Sequence, residues 1–319
     1  RIVSELGEAS MGRVYTAEHI GLKKRVALKV LHRDLEVTED TLQRFQREGI
    51  ALGKFNHPNA IQIFDFDRAE GGIFYLAMEY VEGSNLHDFL AREGRLAPEE
   101  AIDVVCQMLA ALAEAHRHGI VHRDLKPDNV MVMRGSDGHL TVKVLDFGLS
   151  KLVGLPVGAS LQTQPGRIMG TPLYMAPEQG TGEEVDPRSD LYAVGLMLYE
   201  LVTGELPFKG ASVSELLMKQ ATEPAPAIAD SHPDLRVPAA LDDIVGKALE
   251  KRREDRFQSA EEMLAALDEV DLDAPPARGG RRTRTNAGRV SAVSRSRAGR
   301  PGRPGRARSR AGSGAAPAS

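Results

Sequence analysis

IVHRDLKPDNVMV, residues 120–132, is the stretch on which the fold turns. Asp124 in it is followed two residues later by Lys126 and five residues later by Asn129. A second acid-bearing turn, LDFGLS at residues 145–150, lies about twenty residues on. The same four letters HRDL also occupy residues 32–35, but there the fifth neighbour of Asp34 is Glu39, and no second acidic turn follows. Thr38, Glu39 and Thr41 read as a helix N-terminus, where hydroxyls cap and an acid suits the macrodipole. The first copy is therefore read as a solvated connector and the second as the carrier of chemistry.

Working outward, the first eighty residues read mostly as strands, over 13–18, 25–31, 61–66 and 73–81, each a short β-branched or aromatic run bounded by Gly, Asn or charge. One helix interrupts them, over 39–54, with Leu42, Phe45, Ile50 and Leu52 as its apolar stripe. After Gly83 helices dominate. Pro98 opens one that runs to His118 and stops at Gly119, in the Pro-in, Gly-out order. Short strands follow over 130–133 and 141–145, and helices over 187–203, 212–222, 239–251 and 260–270. Residues 148–170 have little periodicity and are too long for an ordinary connector, which marks a functional or mobile segment.

Composition narrows the class. The chain has 319 residues, 42% of them hydrophobic and 27% charged, which suits a globular protein with a sizeable core. The lone Cys106 excludes an internal disulfide and a cysteine metal cage. The longest apolar stretch, 191–202, is broken by Glu200 and reads as a buried helix, not a membrane span. Twelve of the 41 basic residues and none of the 45 acidic ones fall in residues 274–319, so the preceding 273 carry a net charge of −16. That Arg-, Gly-, Ser- and Pro-rich tail has too little apolar surface to offset its ordering entropy, and the composition predicts disorder. A chain that opens at Arg1 inside a strand, with no signal peptide, reads as a fragment of a cytoplasmic protein, with room for a membrane tether or sensor region outside it.

Eight short strings occur in a fixed order: LGEASMGRVY (6–15), VALKV (26–30), QREG with Glu48, HRDLKPDN (122–129), DFG (146–148), GTPLYMAPE (170–178), DPRSDLYAVG (186–195) and EDRF (254–257). In this order and content residues 1–270 resemble the eukaryotic-type protein kinases, within them the bacterial serine/threonine branch. The resemblance implies an α+β, bilobal fold: a small β-rich N-lobe (1–81), a larger α-helical C-lobe (82–273) and the disordered basic tail (274–319).

It also implies roles. ATP and Mg²⁺ are the expected cofactors, and proteins with Ser or Thr acceptors the expected substrates. Leu6, Gly7 and Gly12 would cover the nucleotide, with Ala9 where the family usually has a glycine. Lys29 would contact the α- and β-phosphates, held by Glu48. Met78 would be the gatekeeper, backbone groups of Glu79 and Val81 would meet the adenine edge, and Val14, Ala27 and Met131 would sandwich the ring. Asp124 would receive and orient the substrate hydroxyl, and Lys126 would neutralise the γ-phosphate. Asn129 and Asp146 would be the metal ligands, an oxygen set that suits Mg²⁺. His122, Phe147, Leu52 and Ile63 would stack as a spine. Asp190 would hold the catalytic loop, Glu178 would pair with Arg256, and Thr171 would contact Asp124 and Lys126. Arg123 implies control by a phosphate on the activation segment, with Thr163 and Ser160 as sites and a homodimer for trans-autophosphorylation. Rival readings are a pseudokinase scaffold and a nucleic-acid-binding protein acting through the tail. The tail itself is read first as a solvated linker. Nucleic acid or anionic lipid is its alternative partner, since its GRPGRP string resembles minor-groove hooks.

Overall fold

The computed structural model describes residues 1–9, 12–31, 55–69, 72–147 and 172–275. All belong to the first of two units, Arg1–Gly280. Glu48, Leu52, Ser160, Thr163, Thr171, both ends of the 39–54 helix and the tail beyond 275 lie outside the described residues.

The chain opens with three antiparallel strands, β1 (Ile2–Ala9), β2 (Gly12–His19) and β3 (Lys24–Leu31). With β4 (Ile63–Arg68) and β5 (Phe74–Glu79) they form one sheet in the order β1-β2-β3-β5-β4. Register decides what this sheet offers. Val14 pairs with Lys29, and Ala27 pairs with Met78. Side chains two apart on a strand share a face, so Ala27 and Lys29 stand together, with Val14 and Met78 beside them. Gly12 is required by strand pairing itself, since a Cβ there would lie 2.0 Å from the Val30 carbonyl oxygen.

Beyond the sheet the chain is mainly helical: α1 (Leu86–Glu93), α2 (Pro98–Arg117), α3 (Pro177–Thr181), α4 (Pro187–Thr203), α5 (Val213–Thr222), α6 (Ile228–Ser231), α7 (Ala239–Ala248) and α8 (Ala260–Asp268). Local chemistry sets several ends. Asn85, Asp186, Ser212 and Ser259 cap α1, α4, α5 and α8 by accepting a backbone N–H from within the first turn. Gly204 closes α4 in the left-handed region at φ 80°. Helix α4 is apolar nearly all round, and Leu191, Val194, Leu196, Met197, Leu198 and Leu201 are fully buried. It is the central rod, with α2 and α7 packed against it. No helix among the described residues is long and apolar enough to cross a membrane.

A small second sheet carries the site. Strands β6 (Ser84–Asn85), β7 (Val130–Arg134) and β8 (Leu140–Val144) pair in that order. Its edge is sewn to the segment before β4: Ile61 N donates to Val144 O at 2.9 Å and Val144 N to Asn59 O at 2.8 Å.

Some expectations change. The 239–251 helix stops at Ala248, three residues early. The carbonyls of Glu250 and Lys251 are instead acceptors for the Arg256 guanidinium, at 2.8 and 3.0 Å. The short helices α3 and α6 were not anticipated. Five and four residues are too few to show a periodic stripe.

Arg256 and Glu178 form a buried two-pronged ion pair, both N–O distances being 2.8 Å. Ser189 Oγ donates to the same carboxylate at 2.6 Å, and the guanidinium lies over the Tyr192 ring. Burial alone would raise the Glu178 pKa, but the hydrogen bonds from Arg256 and Ser189 hold it below its ordinary 4.5. The folded pKa thus lies below the unfolded one, so the stabilisation is complete above pH 4.5 and is lost as pH falls below it. Arg256→Met leaves a buried carboxylate unpaired and is expected to cost about 3–5 kcal/mol at pH 7. Without Arg256 the Glu178 pKa rises instead. Urea unfolding should therefore show the gap between variant and wild type narrowing as pH is lowered from 7 toward 4.5; a gap independent of pH would contradict this.

Candidate functional site

Between the five-stranded sheet and the small sheet lies a cleft of about 710 Å³. Leu6, Val14, Ala27, Met78 and Glu79 line it from the first sheet, Met131 from β7, and Val81 from the connection between them. Lys29, Asn129 and Asp146 stand in the same cleft. Of the residues assigned to nucleotide covering, Gly7 and Gly12 are not among its walls. Three apolar walls, Ile61, Tyr80 and Leu145, were not foreseen. Leu145 had a signal, since it immediately precedes Asp146; Ile61 and Tyr80 read as ordinary strand residues.

Lys29 is 1% exposed, which a lysine tolerates only when its ammonium is paired. Its partner is Asp146 Oδ2 at 2.6 Å. Asp146 has a left-handed backbone at φ 56°. That conformation costs a non-glycine residue about 1–2 kcal/mol, and here it turns the carboxylate back toward β3. Phe147, one residue on, is buried between two rings, 4.9 Å from Phe55 and 5.1 Å from His122. Phe55 was not foreseen as part of this stack. His122 Nε2 donates to Leu145 O at 2.7 Å, so Nδ1 is left to accept from Asp124 N at 3.3 Å.

The loop carrying Asp124 is built round a second buried acid. Asp190 on α4 is 1% exposed. It accepts His122 N at 2.9 Å, Arg123 N at 2.9 Å and His116 Nε2 at 2.8 Å. Arg123 is left-handed at φ 68°, and its carbonyl accepts from Gln179 Nε2 at 2.7 Å. The strained turn is therefore fixed on both sides. Asn129 Nδ2 donates to Asp124 O at 2.7 Å and lies 3.4 Å from Asp124 Oδ2. Lys126 Nζ donates to Asp124 Oδ2 at 2.9 Å.

Lys126 and Asp128 line this cleft and also a second one of about 320 Å³. The second cleft holds Asp124 with Pro172, Leu173, Tyr174, Met175 and Glu200. Tyr174 Oη donates to Glu200 Oε2 at 2.6 Å. Burial raises the pKa of both, and for Glu200 the tyrosine hydrogen bond opposes that rise. At the connection, Glu79 N donates to Gln62 O at 2.8 Å, so this N–H is not the group that would meet a ligand. The Glu79 carboxylate is also engaged, with Lys143 at 3.0 Å.

Asn129 and Asp146 fit a divalent ion. Asn129 spends its amide N–H groups on Asp124, which leaves Oδ1 as its ligand atom, and Asp146 has Oδ1 beyond the oxygen that Lys29 holds. Two protein oxygens plus a bound phosphate suit Mg²⁺, which keeps few protein ligands.

The family described as "Protein kinase domain" matches residues 1–266. Serine/threonine-protein kinase pkn3 of Myxococcus xanthus is 43% identical over 283 residues, covering 87% of this chain and 52% of that protein. Probable serine/threonine-protein kinase PknB of Lactococcus lactis is 39% identical, covering 83% of this chain and 40% of its own length. The chain thus spans about half, or less, of the length of these curated relatives. The crystal structure of the Mycobacterium tuberculosis PknI kinase domain superposes with a TM-score of 0.63 at 30% identity, covering 84% of this chain and 94% of that one. Rad53 in complex with AMP-PNP gives a TM-score of 0.67 at 26% identity, covering 82% and 63%.

Asp190→Asn turns one acceptor oxygen into a donor that faces N–H groups. It is expected to lower stability by about 3 kcal/mol. Amide exchange at His122 and Arg123 should accelerate about 100-fold. Unchanged protection at these two amides would remove Asp190 as the holder of the loop.

Proposed function

The chain belongs to the protein kinase family, and from that premise we propose that it transfers the γ-phosphoryl group of Mg-ATP to Ser and Thr hydroxyls of protein substrates. The carrying observation is the junction of two clefts at Lys126 and Asp128, one with Lys29 and Asp146 in it and the other with Asp124. A phosphoryl group passing from the first to the second meets a cation at the crossing. Phosphoryl transfer requires in-line positioning and neutralised charge more than covalent assistance, and this arrangement supplies both.

In this reading the adenine lies between Val14 and Ala27 on one side and Met131 and Leu145 on the other. The Glu79 carbonyl and the Val81 backbone address its edge. Lys29 moves its charge from Asp146 to the α- and β-phosphates, or shares it between them. Asn129 and Asp146 would hold Mg²⁺, which when bound would supply charge neutralisation on the phosphate oxygens. Asp124 would accept a hydrogen bond from the acceptor hydroxyl and take its proton as the new bond to the γ-phosphorus forms and the bond to the β–γ bridging oxygen breaks, ADP leaving with that oxygen, while Lys126 holds the γ-phosphate oxygens. The proton leaves late in a loose transition state, so the carboxylate's main task is to orient the hydroxyl. The cation pair Lys29 and Lys126 also disfavours the pseudokinase reading, since a scaffold has no need of a cation at the crossing between the clefts.

Arg123 bears on control. Its Nε is buried and has no hydrogen-bond partner among the described residues. A phosphate on Thr163 or Ser160 would satisfy it, and an arginine fork suits a phosphate well. Both hydroxyls lie outside the described residues, as does Glu48, whose pairing with Lys29 stays part of the proposal. So do trans-autophosphorylation within a homodimer and any role of the tail.

Lys29→Met and Asp124→Asn should each retain the fold by circular dichroism. Transfer of labelled phosphate from Mg-ATP to a generic protein acceptor should fall at least 100-fold in each. Transfer at wild-type rates in both variants would overturn the reading.

A further inference from the structure

Leu173 and Tyr174 stand in the wall of the cleft that holds Asp124. Tyr174 is fixed there by Glu200. Leu173 is fixed from another helix: Gln220 Nε2 on α5 donates to its carbonyl oxygen at 2.7 Å. Gln220 is 1% exposed, and its Oε1 is buried with no hydrogen-bond partner among the described residues. A buried amide that leaves its acceptor unpaired is a poor source of stability, since the lost hydration of that oxygen offsets the bond its N–H makes. An apolar side chain of the same shape would fill the space at least as well. What the glutamine adds is a donor aimed at Leu173.

The turn that carries Gln220 is held in its own right. Gln220 O is among the last carbonyls of α5, which have no partner within the helix. Lys251 Nζ donates to it at 2.7 Å. The ammonium group also lies 4.1 Å from the centre of the Phe208 ring and 3.3 Å from Tyr192 Oη. A cation at the end of a helix suits its dipole, but this one is kept at a cost. Burial, and then the neighbouring Arg256, bring its pKa down to about 8, against the opposite pull of Glu250 and Glu223. The folded value lies below the ordinary 10.5, so the charge weighs against the fold below about pH 8, and the penalty fades as pH rises toward 10.5.

Two costly polar side chains thus stand in series behind one wall of the acceptor cleft. We propose that Gln220 and Lys251 are positioning residues for the acceptor substrate: Lys251 holds the last turn of α5, and from that turn Gln220 sets the backbone at Leu173, against which the acceptor chain lies. The proposal rests on the kinase reading and adds to it two residues that touch neither the nucleotide nor the hydroxyl. Asp124 is held separately, since its loop hangs on Asp190 and Asn129. Loss of the Lys251–Gln220–Leu173 series should therefore weaken the seating of the acceptor and spare the chemical step.

The test uses the full chain. Gln220→Met removes the donor together with the unpaired oxygen, and Lys251→Met removes the charge together with its burial cost. Each should keep the wild-type urea midpoint at pH 7. With dephosphorylated casein as acceptor, each should raise the acceptor KM about tenfold, the worth of one buried hydrogen bond. The kcat and the KM for ATP should stay unchanged. The double variant should be no worse than either single one, because both substitutions act through the same carbonyl. An unchanged acceptor KM, a rise multiplied to about a hundredfold in the double variant, or a fallen midpoint with the loss spread over kcat and the KM for ATP would overturn the positioning role and leave the kinase reading standing. Wild-type protein that labels neither casein nor histones would sink the kinase reading and the positioning role with it.

Discussion

The ion pair between Lys29 and Asp146 joins the two halves of this molecule at the place where its chemistry lies. An ammonium group 1% exposed cannot stand alone in β3, and among the described residues the carboxylate it meets comes from the far side of the cleft, 117 residues on. To reach it, Asp146 adopts a left-handed backbone that Phe147 and His122 then wedge in place. The pair is a poor source of stability in its own right, because desolvating both charges offsets most of their attraction. What it secures is position: a cation and an anion are held 2.6 Å apart in a space open to a nucleotide.

A second tier of buried charge supports the first. Asp190 fixes the turn that carries Asp124, and Glu178 with Arg256 fixes the segment from which Gln179 reaches the Arg123 carbonyl. Asp190 and Ser189, which bond the loop and the Glu178 carboxylate, both stand on α4, the buried central helix. Two non-glycine residues in the left-handed region, Arg123 and Asp146, sit next to the groups proposed for catalysis. Their strain is over-determined by buried hydrogen bonds, which is how a folded chain keeps a costly conformation.

Much of this was legible in the residues. The ordered strings around Asp124, Asp146, Glu178 and Arg256 fixed the fold class, and the helix expected over 187–203 is found there to the residue. Pairings that bring distant groups together were harder to read. The Lys29–Asp146 contact, the entry of Phe55 into the aromatic stack and the part of Ile61 in the cleft all depend on packing across the lobes, which no local pattern encodes. The early end of the 239–251 helix is a more local matter, since Arg256 takes the carbonyls of Glu250 and Lys251, six and five residues before it. Gly12, read as part of the nucleotide cover, is explained instead by strand pairing: the Val30 carbonyl oxygen lies 2.0 Å from where its Cβ would stand.

The central claim is that Asp146, opposite a buried lysine, helps seat a magnesium-bound nucleotide. Titration calorimetry of ATP with and without Mg²⁺, on the wild type and on Asp146→Asn, addresses it most directly. The account predicts that Mg²⁺ tightens ATP binding to the wild type and that Asp146→Asn abolishes this increment while metal-free ATP still binds. An equal Mg²⁺ increment in both proteins would contradict it.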